Sequence, residues 1–346
     1  MQVGVMKQTK LTIADIARKG GVSKATVSRV LNNRPYVEKA TRNKVLAIIE
    51  ETGFVPHHSA TSLAGGKTNI LGLLVPSLAN PYSLTVIQGV AEKVAGKNLD
   101  LMLYTTGLSE KNQKKFLERL SKNAVDGLIV LLPRESTNFE SELFSSDLPL
   151  VLIDHRSINA DLPSIAVTNE KGGFDATEYL ISLGHTKIGF IAGLLAFGCS
   201  VERLDGYKKG LEKYNLPFCE EYVVEGDFTE ASGYRGAKEL MLLPTPPTAL
   251  FCSNDDMAIG AMQALEEMGK RIPGDVSIIG FDDSPRASLA FPRLTTIRQP
   301  LYQMGESAAN LVVDLINGKS VAKKCIVLKT ELIVRDSCAE LSKVKK

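Results

Sequence analysis

The spacing of apolar residues near the start of the chain predicts two short helices joined by a tight turn between Thr12 and Asn32. Thr12 followed three residues later by Asp15 is typical of a capped helix start. Gly20-Gly21 is expected to end this helix, and Ser23 is a favourable N-cap for the next one. The second helix is expected to bury an apolar stripe formed by Val27, Val30 and Leu31.

The uncovered face of the second helix carries small and cationic side chains, namely Lys24, Ala25, Ser28 and Arg29. In a helix-turn-helix, the N-terminal end of the second helix meets the base edges in the major groove of DNA. Lysine and arginine suit guanine O6 and N7, and alanine suits a thymine methyl group. The alternative is a capped helical hairpin whose charges are only solvated, and this segment alone leaves both interpretations open.

A third helix and the local charge favour the DNA-binding interpretation. Apolar spacing predicts a helix from Lys39 to Thr52 with Gly53 at its C-terminal end, so that three helices close a small core. Residues 1–67 hold eleven Lys or Arg and four Asp or Glu, about +7, whereas the whole chain carries +2. The rest is therefore about −5, and a basic head on an acidic body is typical of a protein that binds a polyanion.

Beyond residue 68 the pattern changes to short apolar runs that alternate with helical segments. The runs are continuously hydrophobic, which favours parallel sheets covered on both faces. The expected strands are Ile70–Val75, Leu99–Tyr104, Gly127–Leu132, Leu150–Asp154, Lys187–Ile191, Tyr222–Val224, Ala249–Ser253 and Val276–Phe281. The expected helices include Tyr82–Gly96, Ser109–Lys122, Arg203–Tyr214, Glu230–Leu242 and Asp256–Met268. This alternation in two runs predicts an α/β domain of two doubly wound lobes.

Polar residues that come directly after these strands are candidates for ligand binding. Asp154, Asn254, Asp255 and Asp282 stand at such positions. Ligands of open α/β sheets bind outside the carboxyl ends of the strands. The sequence therefore predicts a polar ligand site where these ends meet.

The composition is that of a globular protein, with 44% hydrophobic and 23% charged residues. The first ten residues are too polar for a signal peptide and no apolar run approaches a membrane span, so we expect a cytoplasmic protein without membrane contact. Buried, reduced thiols are expected for the cysteines, which are Cys199, Cys219, Cys252, Cys325 and Cys338. No metal-ligand spacing and no nucleophile–base pair stands out, so we expect neither a metal, a cofactor nor an enzyme.

Residues Lys10 to Leu74 resemble the lactose-repressor family of bacterial transcriptional regulators. The resemblance rests on TIADIARKGGVSKATVSRVLN, RPYVEKATRNKVLAIIEETGFVP and SLAGGKTNILGLLVP, and it continues to about Ser337. It implies a small all-α helix-turn-helix domain at residues 10–56. By position, the base-reading residues are Lys24, Ala25 and Arg29. The phosphate-contacting residues, which set the register on DNA, are Ser23, Thr26, Ser28 and Asn32.

The resemblance also implies a hinge helix and linker at residues 57–68, which in the family is disordered off DNA and helical on it. Leu63 matches the leucine that wedges into the minor groove and kinks the operator, and Ala60 matches a position that packs near the hinge of a second subunit. His57-His58 departs from the family, in which many members have asparagine followed by arginine or a small residue. These histidines either contact phosphate or the minor groove, or form a solvated helix start.

Residues 69–337 match the family's effector-binding and dimerisation domain, which has the fold of periplasmic sugar-binding proteins. Three chain crossings are expected to join its lobes. The first lobe is expected at 69–167 plus 298–321, and the second at 168–297 plus 322–337. The cleft positions of the family fall on Tyr82, Asp154, His155, Arg203, Phe228, Asn254 and Asp282.

The side chains at these positions suit a sugar. Asp282 and Arg203 are expected to grip hydroxyl groups, and Tyr82 and Phe228 to stack on an apolar sugar face. His155 stands where some members have an aromatic residue. The simpler alternatives are that residues 282–284 form only a polar turn, that Arg203 pairs on a helix surface, and that the two aromatic rings belong to the core.

A second departure from the family bears on the effector. Phe197 falls where the purine-repressor branch has an arginine that contacts its ligand. This favours a sugar, sugar acid or sugar phosphate over a purine. The chain is therefore expected to be a homodimeric repressor of carbohydrate-utilisation genes that binds double-stranded DNA at a palindromic operator.

Other functions stay open at this point. Within the family, the effector is alternatively a purine, or a phosphocarrier protein controls the regulator. From a different class, a transport or sensor sugar-binding protein would need an export signal and would lack the basic head. The C-terminal residues AELSKVKK contain no leucine heptads, so no tetramer built on a C-terminal coiled coil is expected.

Overall fold

The computed structural model describes residues 11–31, 34–54, 67–107, 109, 111–112, 115–116, 124–132, 148–155, 162–321 and 325–341. The chain divides into two compact units, Met1–Thr68 and Asn69–Lys346. Some predicted positions lie outside the described residues, namely Asn32, His57, His58, Ala60 and Leu63.

The first unit folds as helices around a small core. Its described helices are α1 (Ile13–Gly20), α2 (Lys24–Leu31) and α3 (Lys39–Thr52). The buried apolar residues of this core are Ile16, Ala17, Val27, Val30, Val45 and Phe54. The predicted helical pair and the third helix are confirmed. Phe54, which follows α3 and was not predicted, completes the core.

Both predicted helix starts are capped. The backbone N–H and the hydroxyl of Thr12 donate to Asp15 Oδ2 at 3.0 and 2.7 Å. These bonds hold the pKa of the Asp15 carboxyl below its ordinary value. At α2 the backbone N–H of Thr26 donates to Ser23 Oγ at 3.0 Å, which satisfies one of the amides that a helix start leaves free.

The second unit alternates strands and helices. Its described strands are β1 (Ile70–Val75), β2 (Asp100–Thr105), β3 (Gly127–Leu131), β4 (Leu150–Ile153), β5 (Ser164–Val167), β6 (Ile188–Ala192), β7 (Val223–Glu225), β8 (Ala249–Cys252), β9 (Ser277–Asp282), β10 (Thr295–Arg298), β11 (Cys325–Leu328) and β12 (Glu331–Ile333). Its described helices are α4 (Pro81–Val94), α5 (Asn169–Ser182), α6 (Gly198–Lys213), α7 (Glu230–Met241), α8 (Asp255–Glu267), α9 (Pro285–Leu289) and α10 (Leu301–Ile316). A short 3-10 turn, Glu220–Tyr222, precedes β7.

The strands form two sheets, one for each lobe. The first has the order β11-β5-β4-β3-β1-β2, and its pairings are parallel. The second has the order β12-β10-β9-β8-β6-β7, and it is parallel except for β10 with β12. The central strands β3, β4, β6, β8 and β9 are buried throughout, as their continuous hydrophobicity predicts. The prediction of two doubly wound lobes is confirmed.

The predicted strands are all present, with ends that differ by at most one residue. The strands that were not predicted are β5, β10, β11 and β12, which are short and partly polar or half-exposed. The helix α6 begins at Gly198, five residues before the predicted start at Arg203. The predicted helix Ser109–Lys122 lies largely outside the described residues.

The third chain crossing lies later than expected. Residues 322–337 were assigned to the second lobe, but β11 pairs with β5 in the first sheet, and only β12 belongs to the second. The crossing therefore lies between Leu328 and Glu331. Thr330 in this crossing donates its backbone N–H to Thr168 Oγ1 at 2.9 Å, and Thr168 lies in the first crossing. The two crossings are thus fastened together.

The helices α5 and α6 cross at a pair of glycines. A Cβ atom added to Gly173 would lie 2.4 Å from the backbone oxygen of Arg203, and one added to Gly206 would lie 2.1 Å from that of Glu170. Only glycine permits this approach, which brings Asn169 at the start of α5 beside Arg203. Similar glycine pairs join α4 to α10 and α7 to α8, namely Gly89 with Gly305 and Gly233 with Gly260.

The cysteine prediction is correct only in part. All five cysteines are free, and Cys199 and Cys252 are buried. Cys325 is exposed, because β11 is the edge strand of its sheet and every second side chain faces outward. Among the helices that the structure describes, none is long and apolar enough to cross a membrane.

A buried histidine fastens the C-terminal segment to the second lobe. His185 is fully buried, and its Nε2 lies 3.1 Å from the backbone oxygen of Ala339. Because a carbonyl oxygen only accepts, Nε2 carries the proton, and Nδ1 accepts from the Thr248 hydroxyl at 2.9 Å. Burial lowers the pKa of His185 below its ordinary value, although the bond to Ala339 opposes this.

The stability of the protein should therefore fall in mild acid. The unfolded chain takes up a proton at His185 near pH 6.5, before the folded chain does, so the contribution of neutral His185 is intact above that pH and is lost below it. We predict that the free energy of unfolding decreases between pH 7 and 5 by up to about 1.4 kcal/mol per pH unit from this residue. Denaturant unfolding of His185→Gln should show a smaller decrease in the free energy of unfolding between pH 7 and 5. Above pH 7, the free energies of the two proteins should change with pH in parallel. Equal decreases in the two proteins would contradict the attribution of this acid sensitivity to His185.

Candidate functional site

The exposed end of α2 is the first candidate site. Lys24, Ala25 and Arg29 are exposed, whereas Val27 and Val30 of the same helix are buried in the core. The side chains predicted to meet bases thus share the uncovered face of one helix. Its cation and methyl groups can bind guanine and thymine edges in a major groove.

The turn before α2 holds this end of the helix in place. Gly21 adopts φ 61°, a left-handed conformation that glycine tolerates without strain. Val22 donates its backbone N–H to the oxygen of Ala17 at 3.0 Å, and its side chain packs against the core. Among the predicted phosphate contacts, Ser23 is exposed, and Thr26 and Ser28 are half-buried.

The second candidate site is a cavity of about 450 Å³ in the second unit. This volume lies in the range of small-molecule sites. Its lining residues come from both lobes and are Pro76, Ser77, Ala79, Asn80, Tyr82, Thr105, Gly107, Leu132, Asp154, Phe197, Cys199, Arg203, Asp227, Phe228, Thr229, Glu230, Asn254, Asp256 and Asp282. It lies at the carboxyl ends of strands from the two sheets, where open α/β sheets bind ligands.

A chain of hydrogen bonds crosses this cavity wall from one lobe to the other. Tyr82 in the first lobe donates its hydroxyl to Asp154 Oδ2 at 3.0 Å. Asn169 in the second lobe donates Nδ2 to Asp154 Oδ1 at 2.8 Å, and its own Oδ1 accepts from Arg203 Nε at 3.0 Å. Arg203 and Asp154 are themselves 3.9 Å apart. Asn169 therefore joins a carboxylate and a guanidinium that do not meet at hydrogen-bonding distance.

Arg203 is buried rather than paired on a helix surface. Its side chain is 2% exposed, and its guanidinium lies 3.8 Å from the centre of the Phe281 ring. Its Nη1 donates to the backbone oxygen of Ser253 at 2.6 Å. A buried charge is stable only with such partners, so the geometry rules out the surface alternative.

Asp282 ends β9 and faces the same cavity. Gln299, in the second chain crossing, donates Nε2 to Asp282 Oδ1 at 2.7 Å. Burial raises the pKa of Asp282 well above its usual range; the Arg203 guanidinium opposes this, and the Asp255 carboxyl raises it further. Asp282 is 7% exposed, so residues 282–284 are more than a polar surface turn.

The neighbouring carboxylates fix the turn that follows Asp282. Asp283 bonds to Arg298 Nε at 2.7 Å and to Arg335 Nη2 at 2.5 Å. Asp255 accepts from the hydroxyl of Thr296 at 2.6 Å and from the N–H of Ser284 at 2.7 Å. Burial raises the pKa of Asp255 to about 7, although these bonds oppose the rise. The predicted candidate Asp255 thus lies behind the cavity wall instead of lining it.

The other predicted cleft residues have different surroundings. Asn254 donates Nδ2 to the backbone oxygen of Phe228 at 3.1 Å and caps α8 through its Oδ1. Tyr82 belongs to the hydrophobic core of its lobe and lines the cavity as well, so the core and ligand alternatives both hold for it. His155 is buried but is not among the residues that line the cavity.

The backbone is strained at three of these residues. Asp154, Phe228 and Asp282 have φ values of 59°, 65° and 120°, which lie in the left-handed region that side chains disfavour. Such conformations cost of order 1–3 kcal/mol each and persist where the surrounding structure holds them. Here they turn the side chains that follow a strand toward the cavity.

Several lining residues were not predicted. They include Thr229 and an acidic rim of Asp227, Glu230 and Asp256, in which Glu230 and Asp256 both bond to Arg286. Asn80 caps α4 by accepting from the N–H of Ser83 at 2.9 Å. A polar residue between a strand and the next helix was the available signal, but β7 is too short for its end to stand out in the sequence.

Comparison with protein families gives two matches on this chain. Residues 12–57 match the bacterial regulatory proteins of the lacI family. Residues 177–338 match a periplasmic binding protein-like domain. The first match covers the helical unit, and the second covers most of the lobe that carries Arg203 and Asp282.

Curated relatives are similar over nearly the full length. A probable transcriptional repressor ExuR from Bacillus subtilis is 35% identical over 96% of this chain and 99% of its own. A transcriptional repressor PurR from Escherichia coli is 36% identical over 95% of this chain and 97% of its own.

Solved structures of transcriptional regulators are also similar to this chain over nearly its full length. A lac repressor dimer bound to operator and the anti-inducer ONPF is 29% identical, with a TM-score of 0.82 over 96% of this chain and 100% of its own. A complex of the regulator CelR with cellobiose is 32% identical, with a TM-score of 0.73 over 94% and 99%. The chain therefore belongs to the lacI family of bacterial regulatory proteins and is a DNA-binding transcriptional regulator.

Proposed function

We propose that this regulator is a repressor that binds a palindromic operator as a homodimer in the cytoplasm. Lys24, Ala25 and Arg29 would read bases in the major groove. The observation that carries this proposal is their exposure on one face of a helix whose start is fixed by the Ser23 cap. Ser23, Thr26, Ser28 and Asn32 would contact phosphates and set the register.

The hinge is a further part of the proposal. We infer from the family resemblance that Leu63 wedges into the minor groove at the operator centre and that Ala60 packs beside the second hinge. His57 and His58 would begin this helix, in contact with DNA or solvent. The charge of residues 1–67, about +7, supports an interface with a polyanion.

We propose that a small, sugar-like effector binds in the cavity without being converted. Tyr82, Asp154, Arg203, Phe228, Asn254 and Asp282 all line it, and we include His155 as a neighbour behind the wall. Charge-assisted bonds to hydroxyl groups and an apolar contact with Phe228 suit a sugar. Phe197 also lines the cavity, where its ring offers no donor to a purine. Binding would change the angle between the lobes and, through it, operator affinity.

We place part of the dimer interface on the exposed apolar end of α9 and the loop that follows it. The side chains of Leu289 and Phe291 are 82% and 100% exposed, which is unusual for neighbouring large apolar residues. The related lac repressor structure is a dimer. A second copy of the chain would cover these side chains and place two helix-turn-helix domains on one operator.

Arg29→Ala should relax base preference at one operator position and weaken operator binding by roughly 1–3 kcal/mol. The operator is obtained by selection from a pool of random duplexes, and binding is measured against single-base variants of it. Lys44→Ala on α3 removes the same charge from an exposed site and is the control. Unchanged base discrimination in Arg29→Ala would refute its role as a base reader.

Asp282→Ala should abolish the response to the effector while operator binding persists. A charge-assisted hydrogen bond contributes roughly 1.5–3 kcal/mol, so affinity should fall at least about tenfold. The measurement is the rise in melting temperature caused by candidate sugars. Asp336→Ala, which removes an exposed partner of Arg293 in the same lobe, is the control. A normal rise in Asp282→Ala would exclude this residue from the site.

Phe291→Asp should convert the dimer to a monomer and weaken operator binding, because each half-site would then be bound separately. Sedimentation velocity and operator titration measure the two effects. Leu242→Asp changes a side chain that is 76% exposed elsewhere on the second unit and should leave both unchanged. A Phe291→Asp protein that stays dimeric would move the interface away from this loop.

A further inference from the structure

The charge of the cavity restricts the kind of effector it accepts. Among the lining residues that the structure describes, five are acidic: Asp154, Asp227, Glu230, Asp256 and Asp282. Arg203 is the one basic residue in the same set. Arg286, which is not a lining residue, bonds to both Glu230 and Asp256. Even with both arginines counted, carboxyl groups outnumber guanidinium groups.

Two of these carboxylates stay ionised at neutral pH. Against burial, hydrogen bonds from Thr229 and Ser232 lower the pKa of Asp227 below its ordinary value. A hydrogen bond from Arg286 lowers the pKa of Glu230. Their negative charge therefore persists in the conditions under which an effector binds.

Three donor side chains of the cavity wall already donate hydrogen bonds within the protein. Arg203 donates to Asn169 and to the backbone of Ser253. The Tyr82 hydroxyl donates to Asp154, and the Asn254 amide donates to the backbone of Phe228. Among the described lining residues, an anionic ligand would find Arg203 as its one cationic partner, and Arg203 already donates through Nε and Nη1. Asp154 already accepts through both of its oxygens, whereas Asp282 accepts from Gln299 through Oδ1, which leaves its Oδ2 available to a donor of the ligand.

We propose that the effector carries no negative charge: it is a neutral or amine-bearing polyhydroxyl compound that brings hydrogen-bond donors to the cavity carboxylates. This inference rests on the proposed effector role of the cavity, and it removes sugar acids and sugar phosphates from the expected range. An added carboxylate would be repelled by these carboxylates at short range. An ammonium group would find several acceptors and an opposite charge.

Matched sets of sugars test the charge preference. One set is glucose, glucosamine, glucuronate and glucose 6-phosphate; the other is the same series for galactose. Each compound is screened by the melting temperature of the full chain, and those that raise it are titrated by calorimetry. We expect the uronate and the phosphate to bind at least about tenfold more weakly than their neutral parent. The amine should bind at least as tightly as the parent.

An isosteric variant separates charge from shape. Asp227→Asn keeps the oxygen that accepts from Thr229 and removes one negative charge from the wall. It should narrow the difference in binding affinity between glucuronate and glucose, or between galacturonate and galactose. Glu239→Gln, on the exposed face of α7, makes the same change of charge away from the cavity and should leave the difference unchanged.

The outcomes distinguish this inference from the function on which it rests. A uronate or phosphate that binds as tightly as its neutral parent overturns the charge preference and leaves the effector role standing. No shift with any of the sugars contradicts the sugar-effector role, and the charge preference falls with it. The charge preference is supported if the uronate and the phosphate bind weakly and if the affinity difference between uronate and neutral sugar narrows in Asp227→Asn but not in Glu239→Gln.

Discussion

The hydrogen-bonded chain from Arg203 through Asn169 to Asp154 is the interaction on which the arrangement of the cleft depends. Arg203 and Asn169 belong to one lobe and Asp154 to the other, and the side chains of Arg203 and Asp154 are each 2% exposed. A buried ion that loses its partner typically costs 3–5 kcal/mol, so the two lobes are held at a separation that keeps the chain closed. The glycines at the crossing of α5 and α6 make this possible, because a larger residue would push Asn169 away from Arg203.

A ligand in this cavity competes with the same atoms. In the proposed function, hydroxyl groups of the effector would exchange protein hydrogen bonds at Asp154 or Arg203 for bonds to the ligand, and the angle between the lobes would then follow the ligand. Asp282 links the cavity to the second chain crossing through Gln299, and Asp283 links it to Arg298 beside that crossing. A bound effector would therefore act on the segment where the chain passes between the lobes. In the proposed function, this is the input of a switch whose output is the helical unit that carries Lys24 and Arg29.

The part of the site that follows from local pattern was predictable from the sequence. Asp154, Asn254 and Asp282 stand at or just beyond the carboxyl ends of buried strands, and the topology of a parallel sheet brings such ends together. Asn169 and Gln299 were missed because their roles arise from the crossing of α5 with α6 and from a chain crossing, which leave no periodic signal. The assignment of β11 to the second lobe was wrong for the same reason, because its pairing with β5 joins residues far apart in the sequence. The burial of Arg203 likewise depends on Phe281 and Ser253, which tertiary packing supplies.

The central claim is that the effector in the cleft and the operator at the helical unit shift the same conformational equilibrium of the protein. The direct measurement is a reciprocal titration: operator affinity with and without saturating effector, and effector affinity with and without saturating operator. Linkage requires that the two factors be equal, and a coupling of roughly 1–3 kcal/mol predicts a change of about 5- to 150-fold in each. An operator affinity that stays the same from zero to saturating effector would contradict the account.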